Sequence, residues 1–246
     1  MFNKFIIDFP TNLFQQLSDS KSIKFQDITN GRKGANIIDC KDNLIPLVRT
    51  TSIYNIPNQK FLPIHYDIID NIKKSSKNNN LEFNNALIEI YNSQYQTMGY
   101  HSDQALDLNK NSHICIFSCY DNPKTKDLRK LIIKDKITKY CFDIILDHNS
   151  IVMFSTDTNS KHLHKIVLEQ NTSNNLWLGI TFRQSKTFIS FNNELPYFSS
   201  TNKILTLATD EQKKEFYKLR SHENSNVNFE YPEINYTISN GDMMPI

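Results

Sequence analysis

The middle of this chain consists of short apolar runs in close succession, and this rhythm limits the folds available to it. Eight runs rich in Ile, Val, Phe or Tyr are separated only by polar or turn residues such as DNPK and DHNS. They span residues 86–91, 97–103, 113–120, 128–134, 140–146, 150–155, 162–168 and 176–183. The separations are too short for βαβ crossovers. Eight such strands predict a barrel or a two-sheet jelly roll.

The flanking regions are mixed. Residues 63–74 place isoleucines at helical spacing before two lysines and predict a helix, and a second helix could begin within 11–17. Thr209 and Gln212 predict a capping box for a helix over 209–220. We expect one compact domain with three parts: a mixed N-terminal segment (1–80), the β core (81–195) and a C-terminal appendage (196–246). The appendage is interpreted as a packed tail, with a partner-binding tail as the alternative.

Composition excludes several classes of protein. A chain of 246 residues that is 39% hydrophobic can bury a single core. No run of about 20 apolar residues is present, so no membrane partner is expected. Four cysteines without a C-x-x-C pair indicate a reducing, intracellular (cytoplasmic or nuclear) location without disulfides. The net charge of +2 is too small to indicate nucleic-acid binding by itself, although a local basic face remains open. No obligate protein partner is evident.

The sequence His101-Ser102-Asp103 carries the first chemical signal. In a strand, residues i and i+2 point the same way, so an imidazole and a carboxylate would lie side by side as adjacent metal ligands. With a third ligand from elsewhere, this set leaves half of an octahedral sphere open, as in 2-His-1-carboxylate iron(II) oxygenases. Alone, the H-x-D pattern is common by chance.

Two downstream segments strengthen the signal. The run HLHKIVL offers His162 and His164, which share one strand face, as candidates for the third ligand. The run LGITFR then ends in Arg183. A guanidinium pairs with a carboxylate through two parallel hydrogen bonds, so Arg183 could hold the far end of a dicarboxylate co-substrate whose other end chelates the metal. The alternative for Arg183 is a structural ion pair with a protein carboxylate.

These motifs, in this order, resemble the core of the AlkB-like iron(II)- and 2-oxoglutarate-dependent dioxygenases. The likeness runs from about residue 45 to 190 and includes FNNALIEIYNSQYQTMGYHSD, SIVMFS, HLHKIVL and WLGITFR. It implies a double-stranded β-helix (jelly roll) core, mainly β with flanking α. It also implies Fe(II), 2-oxoglutarate and O2, with His101, Asp103 and His164 as iron ligands. Arg183 and Tyr91 would then bind 2-oxoglutarate.

The same resemblance implies a substrate class and its contacts. Best known in this family is the oxidative removal of N-methyl groups from alkylated DNA or RNA bases. The segment 47–57 matches a substrate-recognition lid, within which Arg49 would contact phosphate and Tyr54 would stack on a base. Arg32 and Lys33 could also contact a nucleic-acid backbone.

Two departures from the family pattern leave alternatives open. Glu89 stands where the family usually has Asn, and Ile189 stands where a second Arg is common, with Lys186 as a possible substitute. One alternative is the same oxygenase chemistry on a protein, lipid or small molecule. Two further alternatives are a binding module with a degenerate metal site and a zinc hydrolase, because zinc also accepts two His and one carboxylate.

Overall fold

The computed structural model describes residues 1–246, and its secondary structure is 36% strand and 18% helix, which confirms a mainly β fold. The first half contains β1 (Asn3–Ile6), α1 (Phe14–Leu17), β2 (Gln26–Thr29), β3 (Arg32–Ile38), β4 (Ile45–Leu47), β5 (Gln59–Lys60), α2 (Pro63–Ser76), β6 (Asn85–Tyr91) and β7 (His113–Tyr120). The second half contains β8 (Arg129–Asp135), β9 (Cys141–Leu146), β10 (Ser150–Ser155), α3 (Thr156–Lys161), β11 (His162–Leu168), β12 (Trp177–Arg183), β13 (Thr187–Asn192), β14 (Leu195–Phe198), β15 (Thr206–Leu207), α4 (Asp210–Ser225), β16 (Tyr236–Thr237) and a 3-10 helix (Asn240–Met243).

Two facing sheets form the core. The larger sheet has the strand order β1-β10-β7-β12-β6-β3-β2, and β5 also pairs with β3. The smaller sheet has the order β11-β8-β9, and residues 97–101 continue it beyond β11 through single bridges from Thr97 to Val167 and from His101 to His164. From β6 to β12 the chain passes repeatedly between the two sheets. This winding confirms the predicted jelly-roll core.

The predicted strands agree with the observed ones, with one exception. Seven of the eight apolar runs form strands β6 to β12 with ends shifted by at most one residue. The run 97–103 forms only the two bridges to β11, and His101 and Asp103 lie at its end. The predicted helices are present as α1, α2 and α4, and the Thr209–Gln212 capping box begins α4.

Apolar packing fixes both sheets in place. The buried face of α2 (Ile64, Ile68, Ile69 and Ile72) packs on the outer side of the larger sheet. Each buried Ile stabilises the fold by about 1.5–3 kcal/mol. Between the sheets lies a second apolar cluster that includes Tyr91, Phe154 and Trp177. This cluster fills one part of the jelly roll, and a cavity occupies the part next to it.

The C-terminal appendage is packed against the core. Phe216 and Leu219 of α4 form an apolar cluster with Ile234, Tyr236 and Ile238. Leu106, which precedes β7, packs against this cluster. No helix in the structure combines the length and apolar character required to cross a membrane.

Candidate metal centre

Three of the predicted ligands meet at one point. The ligand atoms of His101, Asp103 and His164 all lie within 4.8 Å of one another. Asp103 Oδ1 is 3.5 Å from His164 Nε2 and 4.0 Å from His101 Nε2. Two imidazole nitrogens and one carboxylate oxygen at these separations can bind one divalent transition metal and leave part of its coordination sphere free.

Local backbone pairing brings the two histidines together. His101 and His164 are directly opposite each other in an antiparallel bridge, with N···O distances of 3.0 and 2.6 Å. Opposed side chains of such a pair lie on the same side of the sheet, and the ring centroids are 4.6 Å apart. Strand pairing in the smaller sheet therefore brings together two ligands that are far apart in the sequence.

The environment of His101 favours its neutral, metal-binding form. Burial and the neighbouring His164 lower the pKa of His101 to about 3. Its Nδ1 is 2.9 Å from the carbonyl oxygen of Gly99, and a hydrogen bond donated there leaves Nε2 with its lone pair toward Asp103. His164 is buried, and its Nδ1 has no partner within the chain.

Arg183 lies directly behind the carboxylate ligand. Its Nε donates to Asp103 Oδ2 at 2.9 Å, so Oδ1 remains directed at the two histidines. Burial opposes ionisation of Asp103, but Arg183 and His164 outweigh it and hold the pKa of this carboxyl well below its usual range. The terminal NH2 groups of Arg183 make no hydrogen bond within the chain, and the residue lines the cavity. Arg183 thus combines a structural contact with two donors available to a carboxylate.

His162, the other candidate for the third ligand, is occupied elsewhere. Its Nδ1 is 2.9 Å from the carbonyl oxygen of Thr158, and its Nε2 is 3.7 Å from Asp135 Oδ2. Its ring packs edge-on against Phe2. The geometry therefore places His164, and not His162, beside the His101–Asp103 pair.

A cavity of about 510 Å³ opens beside the three ligands. Leu87, Ile116 and Thr181 of the larger sheet and Ile166 of the smaller sheet contribute to its wall. Gln104 also lines the cavity, and it is only 5% exposed while both its amide atoms lack a partner. Buried amides are normally hydrogen-bonded, so this one is available to a ligand.

Glu89, the first departure from the family pattern, forms an ion pair on the cavity wall. Arg32 Nε donates to its Oε1 at 2.7 Å, and the Tyr91 hydroxyl donates to its Oε2 at 2.8 Å. Tyr91 is fully buried and is not among the residues that line the cavity. In this structure the hydroxyl predicted to contact 2-oxoglutarate is thus directed at Glu89.

The second departure lies away from the metal site. Ile189 is fully buried in a separate apolar cluster, and Lys186 lines a second, larger cavity of about 720 Å³. Neither side chain lines the cavity beside the three ligands. The predicted compensation of Ile189 by Lys186 therefore finds no support in their positions.

The structure does not place Arg49 and Tyr54 where the predicted substrate contacts require them. Arg49 is 4% exposed and forms a paired hydrogen bond to Asp107, with further bonds to the carbonyls of Ile234 and Tyr236. Tyr54 is 1% exposed, and its ring covers Gly34, where a Cβ would come within 2.7 Å of the hydroxyl. Both residues are structural here, although their neighbours Thr50 and Ser52 do line the cavity.

Sequence reasoning missed the contribution of α4 to this site. Tyr217, Arg220 and Asn224 line the cavity, although they lie in the C-terminal appendage. One signal was present in the sequence: Arg220 and Glu223 follow Phe216 at helical spacing, so they fall on the buried face of the helix. Charged side chains at such positions need specific partners.

Comparison with known proteins finds similarity among solved structures, at low sequence identity. No protein-family model matches the chain, and neither does any curated protein. Among solved structures, the AlkB homologue OsALKBH1 aligns with 14% identity and a TM-score of 0.45, over 69% of this chain and 87% of that one. A Pseudomonas putida prolyl-4-hydroxylase aligns with 13% identity and a TM-score of 0.45, over 74% of this chain and 92% of that one.

Proposed function

We propose that this protein is an iron(II)- and 2-oxoglutarate-dependent dioxygenase that removes N-methyl groups from nucleic-acid bases. The observation that carries the oxygenase assignment is the convergence of His101, Asp103 and His164 beside Arg183 at the wall of one cavity. A zinc hydrolase needs the three ligands but has no need for a guanidinium with free donors beside them. Arg183 therefore favours a carboxylate-bearing co-substrate.

The side chains of this site have separable tasks in the proposed reaction. When bound, iron with 2-oxoglutarate and O2 supplies oxidation of a substrate C–H bond, and a hydroxylated N-methyl group is released as formaldehyde. The two histidines and Asp103 hold the metal. Arg183 orients Asp103 and binds a co-substrate carboxylate through its terminal NH2 groups, while the apolar wall excludes water.

A base-sized substrate is supported by one feature of the cavity and one of the neighbouring surface. The amide of Gln104 presents a donor and an acceptor side by side, the combination with which Gln reads the edge of a base. On the outer face of the smaller sheet, opposite to His164, the Tyr100 ring centroid lies 4.6 Å from Lys165 Nζ and 5.6 Å from Lys134 Nζ. We name these three residues (Tyr100, Lys134 and Lys165) the basic rim.

The basic rim has the chemistry of a single-strand contact. Neither lysine forms an ion pair within the chain, so both charges are available to phosphates. An aromatic ring beside them offers a surface for base stacking. Such a site binds nucleic acid locally even though the whole chain has a net charge of only +2.

The activity is tested by supplying Fe(II), 2-oxoglutarate and O2 with single-stranded DNA and RNA oligonucleotides that carry different N-methylated bases. We expect formaldehyde to appear in step with succinate for at least one oligonucleotide, and neither product with a His164→Ala control. Substrate-independent succinate without formaldehyde would retain the oxygenase and reject the nucleic-acid substrate. Absence of oxygen-dependent succinate would reject the oxygenase itself.

A second prediction concerns the basic rim. The double substitution of Lys134 and Lys165 by Ala should weaken binding of a single-stranded oligonucleotide and reduce the slope of log affinity against log salt by roughly 1.4, because each phosphate contact on a single strand contributes about 0.7. The matched control replaces Lys73 and Lys74 of α2, which packs on the larger sheet, whereas Lys134 and Lys165 belong to the smaller sheet. Equal salt slopes for the two double variants would remove the basic rim from the proposal.

A further inference from the structure

The metal-binding segment 101–105 has little regular secondary structure to hold it. His101 pairs with His164, but after this bridge the chain leaves the sheet. Ser102, Asp103 and Gln104 are nevertheless buried. Their peptide groups therefore need hydrogen-bond partners from outside a strand ladder.

Side chains of two helices supply these partners. The amide of Asn159 in α3 accepts from Asp103 N at 2.8 Å and donates to Asp103 O at 2.7 Å. From α4, Asn224 Oδ1 accepts from Ser102 N at 3.0 Å, and Arg220 donates to Ser102 O. Glu223 of the same helix accepts from Ala105 N at 2.8 Å.

The contacts from α4 are themselves held in place. Arg220 Nη1 donates to Glu223 Oε2 at 2.6 Å, and the Tyr231 hydroxyl donates to the same oxygen at 2.7 Å. Lys136 Nζ donates to the backbone carbonyl of Glu223 at 2.6 Å. Arg220 and Glu223 are both more than nine-tenths buried, so the pair is desolvated and fixed in orientation.

We propose that Arg220, Glu223 and Asn224 of α4 are positioning residues that hold the backbone between His101 and Asp103 in the geometry required for metal binding. Because a metal affinity depends on the orientation of its ligands, loss of an outer partner weakens binding even when every ligand is present. The proposal rests on the metal-binding part of the proposed function and is independent of the substrate.

The test titrates the full-length, metal-free protein with Co(II) and monitors binding through the visible absorption of the bound ion. Asn224→Ala is expected to weaken Co(II) binding about 10- to 100-fold and to alter the Co(II) spectrum. Asn224→Asp keeps an acceptor for Ser102 N and should restore the wild-type spectrum. Lys218→Ala, on the exposed side of the same helix, is the matched control and should bind Co(II) as the wild type does.

A purely structural role for α4 gives a different result. In that case Asn224→Ala lowers the unfolding temperature but leaves Co(II) affinity and spectrum unchanged below it, which overturns the proposal. Should Asn224→Ala not fold, Arg220→Lys provides the same readout, because it keeps the charge beside Glu223 and withdraws the donor from Ser102 O. Wild-type protein that binds no Co(II) would instead contradict the metal site itself.

Discussion

Replacement of His164 by alanine is expected to abolish metal retention, whereas replacement of His162 leaves it intact. His164 Nε2 faces Asp103 Oδ1 at 3.5 Å, while His162 is directed at Thr158 and Asp135. Loss of a direct ligand should reduce metal affinity by more than roughly 100-fold, the largest loss expected when only a hydrogen-bond partner of a ligand is removed. Metal content after loading and desalting distinguishes the two variants, and oxygen-dependent succinate release should follow it.

Because both histidines belong to β11, the pair is an internally matched control for damage to this strand. Equal loss of metal in both variants would indicate that the strand has been disrupted. Loss in His162→Ala alone would require a rotated β11 and would reject the assignment of the third ligand.

Arg183→Ala is expected to raise the 2-oxoglutarate concentration required for half-maximal activity by roughly 100-fold, because hydrogen bonds to charged groups contribute about 1.5–3 kcal/mol each. The contact between Arg183 Nε and Asp103 adds a second effect. Metal affinity should also fall, by about 10-fold, which is the lower end of the loss expected when a hydrogen-bond partner of a metal ligand is removed. Steady-state kinetics at saturating iron separate the two effects.

A 2-oxo acid without the far carboxylate tests directly whether Arg183 binds that group. The wild type should use 2-oxoglutarate much better than 2-oxobutyrate, and Arg183→Ala should lose most of this preference. Arg183→Lys keeps a charge but lacks the planar pair of donors, so an intermediate preference is expected. If Arg183→Ala keeps the full preference, the far carboxylate is bound elsewhere and Arg183 serves only Asp103.

Much of the β core was predictable because its determinants are local. The alternation of apolar runs and turn residues located β6 to β12, and the family resemblance of the ordered motifs pointed to His101, Asp103 and His164, which the structure brings together. A single antiparallel bridge between His101 and His164 brings the third side chain to the other two. For these elements, local pattern and tertiary structure agree.

The remainder depends on partners that are distant in sequence. Arg49 was predicted to contact substrate, but its exposure is decided by Asp107 and by carbonyls of the C-terminal segment. The run 97–103 was predicted as a strand, yet side chains from α3 and α4 bind the backbone of its last two residues, Ser102 and Asp103. No local sequence pattern predicts such hydrogen-bond partners, because each partner lies on another element whose position is set by tertiary packing.

Arg49 also has a consequence for synthesis of the chain. Its guanidinium donates to Asp107 and to the carbonyl of Ile234. Ile234 lies 185 positions after Arg49 in the sequence. At ordinary translation rates the ribosome needs roughly 10–40 s to make that interval. Until then, the Arg49 guanidinium can bind Asp107 but lacks the two carbonyls that accept from its Nη1. A chain that ended before Ile234 would therefore keep the pair with Asp107 but leave Nη1 of this guanidinium without its two carbonyl acceptors.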